Sequence, residues 1–413
     1  MAMAADPVDR FHQALSTELD ALRERGTSKG AETVITRVVP REGERGTRYL
    51  LAGEGDKPFL KMNSNNYLGL SLHPDLIQAE EQASKAYGVG PGAVRFISGT
   101  YQAHIDLEAR LAAFHGRESA MIFSSAYATA LGVIVPLITP ETVLISDELN
   151  HNCIINAMRL ARPKEKLIYR HLDLADLEAK LTAAAGTCRR ALVVTDGIFS
   201  MRGDHAPLVE LAAICRRFDA RFPENVVLLV DDSHGVGAIG KTGRGTEETT
   251  GSGPVDILVA TLGKALGVNG GYVTGSKVLT DFLRETSPTY IYSNPITVGE
   301  CAAALRAVEI LDSPEGRERL GHLRAMTARF EQGLLRLGYE TIPGEHPVVP
   351  LMVRDTTKTT ALVAHLRKNG ILATGLKFPV VPRGDESIRF QVSADHTPHD
   401  IDSVLAALES FKR

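Results

Sequence analysis

One lysine stands apart by its surroundings. Lys264 lies in ATLGKALGVNGGYV, a glycine-rich stretch that continues the apolar run DILVAT at 256–261. A lysine there is either a surface loop residue or an amine held out of water. Loss of water lowers an amine's pKa and makes it a nucleophile suited to Schiff-base chemistry. One strand-helix unit earlier, the run VVLLV at 226–230 ends in Asp231, and His234 follows. A reactive lysine together with a carboxylate for a ring nitrogen meets the needs of pyridoxal 5'-phosphate. The carboxylate keeps the pyridine protonated, so that the ring accepts electrons from a carbanion. Each residue has a plainer reading alone: His151 as a helix cap, His234 as a satisfied loop histidine, Arg389 as a surface cation. The set is what favours chemistry.

A second pattern in the same region misleads. Residues 235–242 read GVGAIGKT and satisfy both GxGxxG and the P-loop spacing, with Lys241 as the phosphate lysine. A P-loop must run straight into a helix, whereas Gly243, Gly245, Gly251 and Gly253 follow here. Asp231 and Asp232 would also stand beside the phosphates. The glycines are therefore read as a flexible turn.

Stepping outward, short apolar runs alternate with helix-length segments: AMIF at 120–123, VLIS at 143–146, ALVVT at 191–195, VVLLV and DILVAT. Continuous hydrophobicity marks strands buried on both faces. The expected fold is α/β, a mostly parallel sheet with ligands at the carboxyl ends of its strands. Residues 1–60 form a polar amino-terminal arm with a helix near Phe11 to Arg25, residues 61–295 a large cofactor-binding domain, and residues 296–413 a smaller α+β domain. In that last unit SIRFQVS at 387–393 alternates, with Arg389 on the polar face of a half-buried strand.

Composition sets the bounds. The 413 residues carry 46 Lys+Arg against 50 Asp+Glu, a net charge of −4, which gives no footprint for nucleic acid or an anionic membrane. The longest apolar stretch, Ala126 to Ile138, contains Pro136 and falls short of the ~18 residues of a spanning helix. Cys153, Cys188, Cys215 and Cys301 show no zinc or disulfide spacing, so no metal is expected, and free thiols suggest a cytoplasmic protein.

Several stretches occur in family order: NSNNYLGLSLHPDL at 63–76, VRFISGTYQAHIDLEARLAAFHG at 94–116, SDELNHNCII at 146–155, TDGIFSM at 195–201, DDSHGVGAIGKTGRG at 231–245, TLGKALG at 261–267 and YSNP at 292–295. Through them residues 60–410 resemble the α-oxoamine synthases, fold type I pyridoxal-phosphate enzymes that condense an amino acid with an acyl-CoA. The resemblance implies Lys264 as the Schiff-base lysine and Asp231 as partner of the pyridine nitrogen. It puts His151 on the ring, and His234 and Ser200 near the phenolic oxygen. The amides of Ala126 and Tyr127 and the Thr261 hydroxyl would hold the phosphate, with Ser293 and Asn294 reaching it from the other subunit of a homodimer. Asn65 and Arg389 would bind substrate, Arg389 gripping the carboxylate as a planar guanidinium can.

TGLKFPVVPRGDESIRFQVSADHT at 374–397, RFISGT and DDSH are most similar to the branch that joins glycine to acetyl-CoA. Neighbouring branches use other acyl donors or amino acids, as in 8-amino-7-oxononanoate synthase, and a fold-related aminotransferase would share Lys264 and Asp231. Arg202 departs from the family's aspartate in FSMDG, and Lys377 stands where an aromatic is common.

Overall fold

The protein is described here by a computed structural model covering residues 7–378 and 381–412. Pro379 and Val380, inside the 374–397 segment, lie outside the described residues. The arm begins with a helix, Pro7–Glu24, whose Phe11, Leu15 and Leu19 face solvent. An antiparallel pair follows, β1 (Ile35–Val39) and β2 (Arg48–Leu51), then the short β3 (Leu60–Lys61). The strands of residues 35–51 are tied to the far end of the chain. Arg48 pairs with buried Asp400 at 2.5 Å, and Asp400 also accepts from the Gly46 amide.

Seven strands form the central sheet: β4 (Ser119–Phe123), β5 (Thr142–Asp147), β6 (Glu165–Tyr169), β7 (Arg190–Asp196), β8 (Val226–Asp231), β9 (Ile257–Thr261) and β10 (Gly271–Gly275). Their order is β4-β10-β9-β8-β7-β5-β6. The strands from β9 through β6 run parallel, while β10 is antiparallel to both β9 and β4. The apolar runs read from the sequence are the strands of this buried sheet, as expected for strands covered by helices on both faces. Because parallel strands end on one side, Asp147, Asp196 and Asp231 close β5, β7 and β8 along a common edge.

The carboxyl-terminal unit carries β11 (Glu340–Thr341), β12 (Val348–Met352), β13 (Ile371–Leu372), β14 (Thr374–Leu376) and β15 (Ser387–Gln391). An antiparallel sheet runs β11-β12-β15-β14, and β13 pairs with β3 of the arm. The long amphipathic helix is Pro314–Arg336. One apolar core joins the units, with Leu262 and Leu311 in the same cluster as Phe330 and Phe390. The sequence suggests a half-buried β15, but both of its faces are covered. Ser387 and Gln391 on the polar side are as buried as Ile388 and Phe390. The strand lies between β12 and β14 in its sheet, and Gln391 on its polar side donates to Asn65.

Candidate active site

The cleft lies where β7, β8 and β9 end. Its lining includes Ala126, Tyr127, His151, Asp231, His234 and Lys264, six of the residues marked from sequence, together with Cys153, Asp196, Ile198 and Ser233. Lys264 sits in the connection between β9 and β10. Withdrawal from water lowers its pKa to about 8, against the opposing pull of Asp231 and Asp196. An amine so tuned is partly unprotonated near neutral pH and can act as nucleophile or base.

Asp231 Oδ1 accepts the Ser233 amide at 3.1 Å, and its Oδ2 faces the Cys153 thiol at 3.8 Å. Burial pushes the Cys153 thiol up, so it stays protonated. Asp196 pairs with Asp231 across adjacent strands and accepts the His151 amide at 2.9 Å. Burial and then the Asp231 charge raise its pKa well above the carboxylate range.

His151 caps the helix Asn152–Leu160, its Nδ1 accepting from the Cys153 amide, at the open mouth of the cleft. Loss of water lowers its pKa in spite of Asp231. His234 is buried, and desolvation followed by the Lys264 charge takes its pKa well below the usual value. Its Nδ1 is bonded to Tyr67 Oη at 2.8 Å, and its carbonyl accepts from His346 Nε2 at 2.8 Å. Both cleft imidazoles are therefore neutral at pH 7.

The helix Ala126–Leu137 begins at the cleft. Ser125 Oγ takes the Ala128 amide, which leaves the Ala126 and Tyr127 amides at the first turn without an intrahelical partner. Gly271 of β10 presses on this turn; a Cβ there would lie 2.4 Å from the Ala126 nitrogen. Arg389 approaches from β15, close enough for its charge to lower the pKa values of Lys264 and His234. Its Nε and Nη2 are buried and have no hydrogen-bond partner. Buried guanidinium N–H groups without acceptors fit a ligand carboxylate. Asn65 Oδ1 accepts from Tyr67 Oη at 3.2 Å and from Gln391 Nε2, which places it beside the same group of residues.

The other marked residues lie differently. The Thr261 hydroxyl donates to the Gly270 carbonyl and accepts the Gly263 amide, so it is engaged within the β9–β10 connection. Ser200 is half-buried on the turn after Ile198 and is not in the cleft lining. Ser293 and Asn294 follow Tyr292, which is 80% exposed, and they do not line this chain's own cleft.

The glycine run is a correction to the expected flexible turn. Residues 231–239 are buried, and the loop closes on Asp232, which accepts the Thr246 amide at 2.7 Å and its hydroxyl at 2.5 Å. A Cβ on Gly235 or Gly245 would stand 2.1 or 2.0 Å from that carboxylate. Gly235 and Gly245 make room for Asp232, while Gly237, Gly240 and Gly243 abut Ala265, Glu248 and Leu311. The residues missed from sequence had a readable signal in one case. Asp196 closes ALVVTD just as Asp231 closes VVLLVD.

A family model for aminotransferase class I and II matches residues 57–408. The chain belongs to that family. Within it, the chain is an α-oxoamine synthase. It is 39% identical over 401 residues to the human mitochondrial 2-amino-3-ketobutyrate coenzyme A ligase, covering 97% of this chain and 91% of that protein. It is 37% identical over 398 residues to the 8-amino-7-oxononanoate synthase 1 of Bacillus velezensis, covering 96% of each. Among solved structures, Sphingomonas wittichii serine palmitoyltransferase superposes with a TM-score of 0.86 at 27% identity over 98% of both chains. A structure described as SPT with PLP reaches a TM-score of 0.87 at 26% identity, also over 98% of both chains.

The synthase fold is thus type I, and its cofactor is pyridoxal 5'-phosphate. The cleft fits that group on its own chemistry. It offers an amine for the aldehyde, a carboxylate at a strand end, unengaged helix amides, and the buried Ser233 hydroxyl, which has no protein partner. Among the described residues no helix is long and apolar enough to cross a membrane, and no acidic, histidine or cysteine cluster could hold a metal.

Proposed function

We propose that this synthase joins glycine to acetyl-CoA, giving 2-amino-3-oxobutyrate and free CoA. The observation that carries the reading is the pairing of the lowered-pKa amine of Lys264 with the unpartnered guanidinium N–H groups of Arg389 at one cleft. Arg389 holds the amino acid's carboxylate and sets its α-carbon toward Lys264. Lys264, partly unprotonated near neutral pH, takes the α-proton at Nζ. Pyridoxal phosphate, held by Lys264, Asp231 and the Ala126 and Tyr127 amides, supplies the electron sink that stabilises the carbanion. With that group bound, Asp231 would keep the ring nitrogen charged and His151 would cover the ring. His234, neutral and fixed through Nδ1 by Tyr67, lines the cleft beside Lys264. The carbanion attacks the thioester carbonyl, and the CoA thiolate leaves.

Ser293 and Asn294 serve a second copy of the chain, which makes the working unit a homodimer. Glycine and acetyl-CoA are favoured by the DDSH and 374–397 stretches. The identity to 8-amino-7-oxononanoate synthases supports the second reading, alanine with a pimeloyl thioester.

The test is a panel of acyl-CoA donors against glycine, alanine and serine, scored by thiol release and product mass. Glycine with acetyl-CoA should lead; a pimeloyl donor with alanine leading overturns the choice. Lys264→Ala should abolish thiol release and leave no cofactor covalently attached to the protein after borohydride reduction. Cofactor still fixed to the variant by reduction would remove Lys264 from its role.

A further inference from the structure

Arg202, the departure from the family pattern, belongs to a cluster beside the cleft. His171, just past β6, stands between two carboxylates. Its Nδ1 is 3.0 Å from Asp147 Oδ1 and its Nε2 is 3.3 Å from Asp204 Oδ2. Carboxylates only accept, so both ring nitrogens must donate and the ring is an imidazolium. Phe199 packs edge-on against it with centroids 4.4 Å apart. Arg202 Nε donates to the same Asp204 Oδ2 at 2.9 Å.

The carboxylates belong to different loops. Asp147 ends β5 and also takes the Leu149 and Leu172 amides, at the root of the loop that carries His151. Asp204 ends the turn that starts from Asp196 and Ile198 in the cleft lining and carries Ser200. The other charges at the ring's position are Glu148, which accepts the His171 amide, and the adjacent Arg170.

We propose that His171 is a positioning residue of the active site: bridging Asp147 and Asp204, it locks the loop bearing His151 against the turn bearing Ile198 and Ser200, with Arg202 sharing the Asp204 oxygen. This rests on the function proposed above, since the two loops matter as walls of that site. Burial opposes the charged ring, but the hydrogen bonds to Asp147 and Asp204 outweigh it and raise the His171 pKa to about 9. A histidine raised on folding stabilises fully below its unfolded value, near 6.5. That contribution is lost as pH rises through about 9.

The experiment compares wild type, His171→Gln and Arg202→Gln by thermal unfolding of the cofactor-free protein across pH 6–10, and by titration of pyridoxal phosphate into each. The wild-type advantage in Tm over His171→Gln should be full at pH 6 and gone at pH 10, and His171→Gln should bind the cofactor more weakly at pH 7. In Arg202→Gln the midpoint of the pH-dependent loss should move upward, because the Asp204 oxygen is left to His171 alone. A pH-independent difference, unchanged cofactor binding in His171→Gln, or an unmoved midpoint in Arg202→Gln overturns the proposal. Arg202 pairs at the surface, so its variant keeps the test open if His171→Gln does not fold. Failure of the functional reading is a separate result, seen as a wild type without visible absorption.

Discussion

Two segments at neighbouring strand ends shape the same cleft, and they are held by opposite means. The loop after β8, residues 232–245, is closed around one buried carboxylate by direct contact, with glycines where any Cβ would collide. The turn after β7, residues 197–204, is held by charges, with His171 between Asp147 and Asp204 and Arg202 alongside. The first is fixed by volume and depends on residue identity. The second is fixed by protonation and depends on the medium. A site that must hold a rigid cofactor and admit a large acyl donor thus has one wall set by shape and one set by electrostatics.

The largest effect should come from adding volume to the packed wall. Gly235→Ala and Gly245→Ala each drive a methyl into Asp232, and each should destabilise by more than about 4 kcal/mol, or abolish soluble protein. A small loss in denaturant unfolding would show that the wall can relax. Next, Asp232→Ala strands the Thr246 amide and hydroxyl, costing about 1–3 kcal/mol for each group left buried. Asp232→Asn should keep those bonds while removing a pH response. Burial raises the Asp232 pKa to about 7 against the Thr246 bonds, so wild-type stability should fall as pH rises from the unfolded value near 3.8 through 7. The asparagine variant should fall less than wild type over that window, the remainder belonging to Asp196; an equal fall would assign the titration elsewhere. The smallest effect belongs to Lys241, the exposed lysine of the P-loop pattern. Lys241→Ala should change stability by no more than about 0.5 kcal/mol and leave cofactor binding as it was, checked by Tm and visible titration.

The contrast also explains what the sequence could reveal. β5, β7, β8 and β9 were readable because strands buried on both faces are unbroken apolar runs. β6 escaped notice as an edge strand that alternates, with Glu165 and Lys166 among its residues, and GYVTG of β10 is bounded by glycines that weaken a strand signal. Lys264, Asp231 and Arg389 showed themselves because each is a charge in an apolar or alternating context. The His171 clasp did not, since Asp147, His171 and Asp204 come from three separate loops, and only the fold brings them together. The Asp232 cage misled for a related reason. Glycines spaced for a phosphate and glycines spaced for a buried carboxylate look alike until the loop closes.

The reversed strand β10 has a mechanical consequence. Among the described residues β4 joins the sheet through β10 alone, and β10 returns directly from the Lys264 connection to press Gly271 on the first turn after β4. The reactive amine and the first-turn amides thus sit on two segments that part company if this one strand unzips. On the function proposed above, a molecule joined to Lys264 at one end and seated on the Ala126 amides at the other would span that seam like a rivet. Its binding free energy then adds to the resistance of the sheet edge against opening, so loading the enzyme should protect the amides of β10 from exchange more than those of β6.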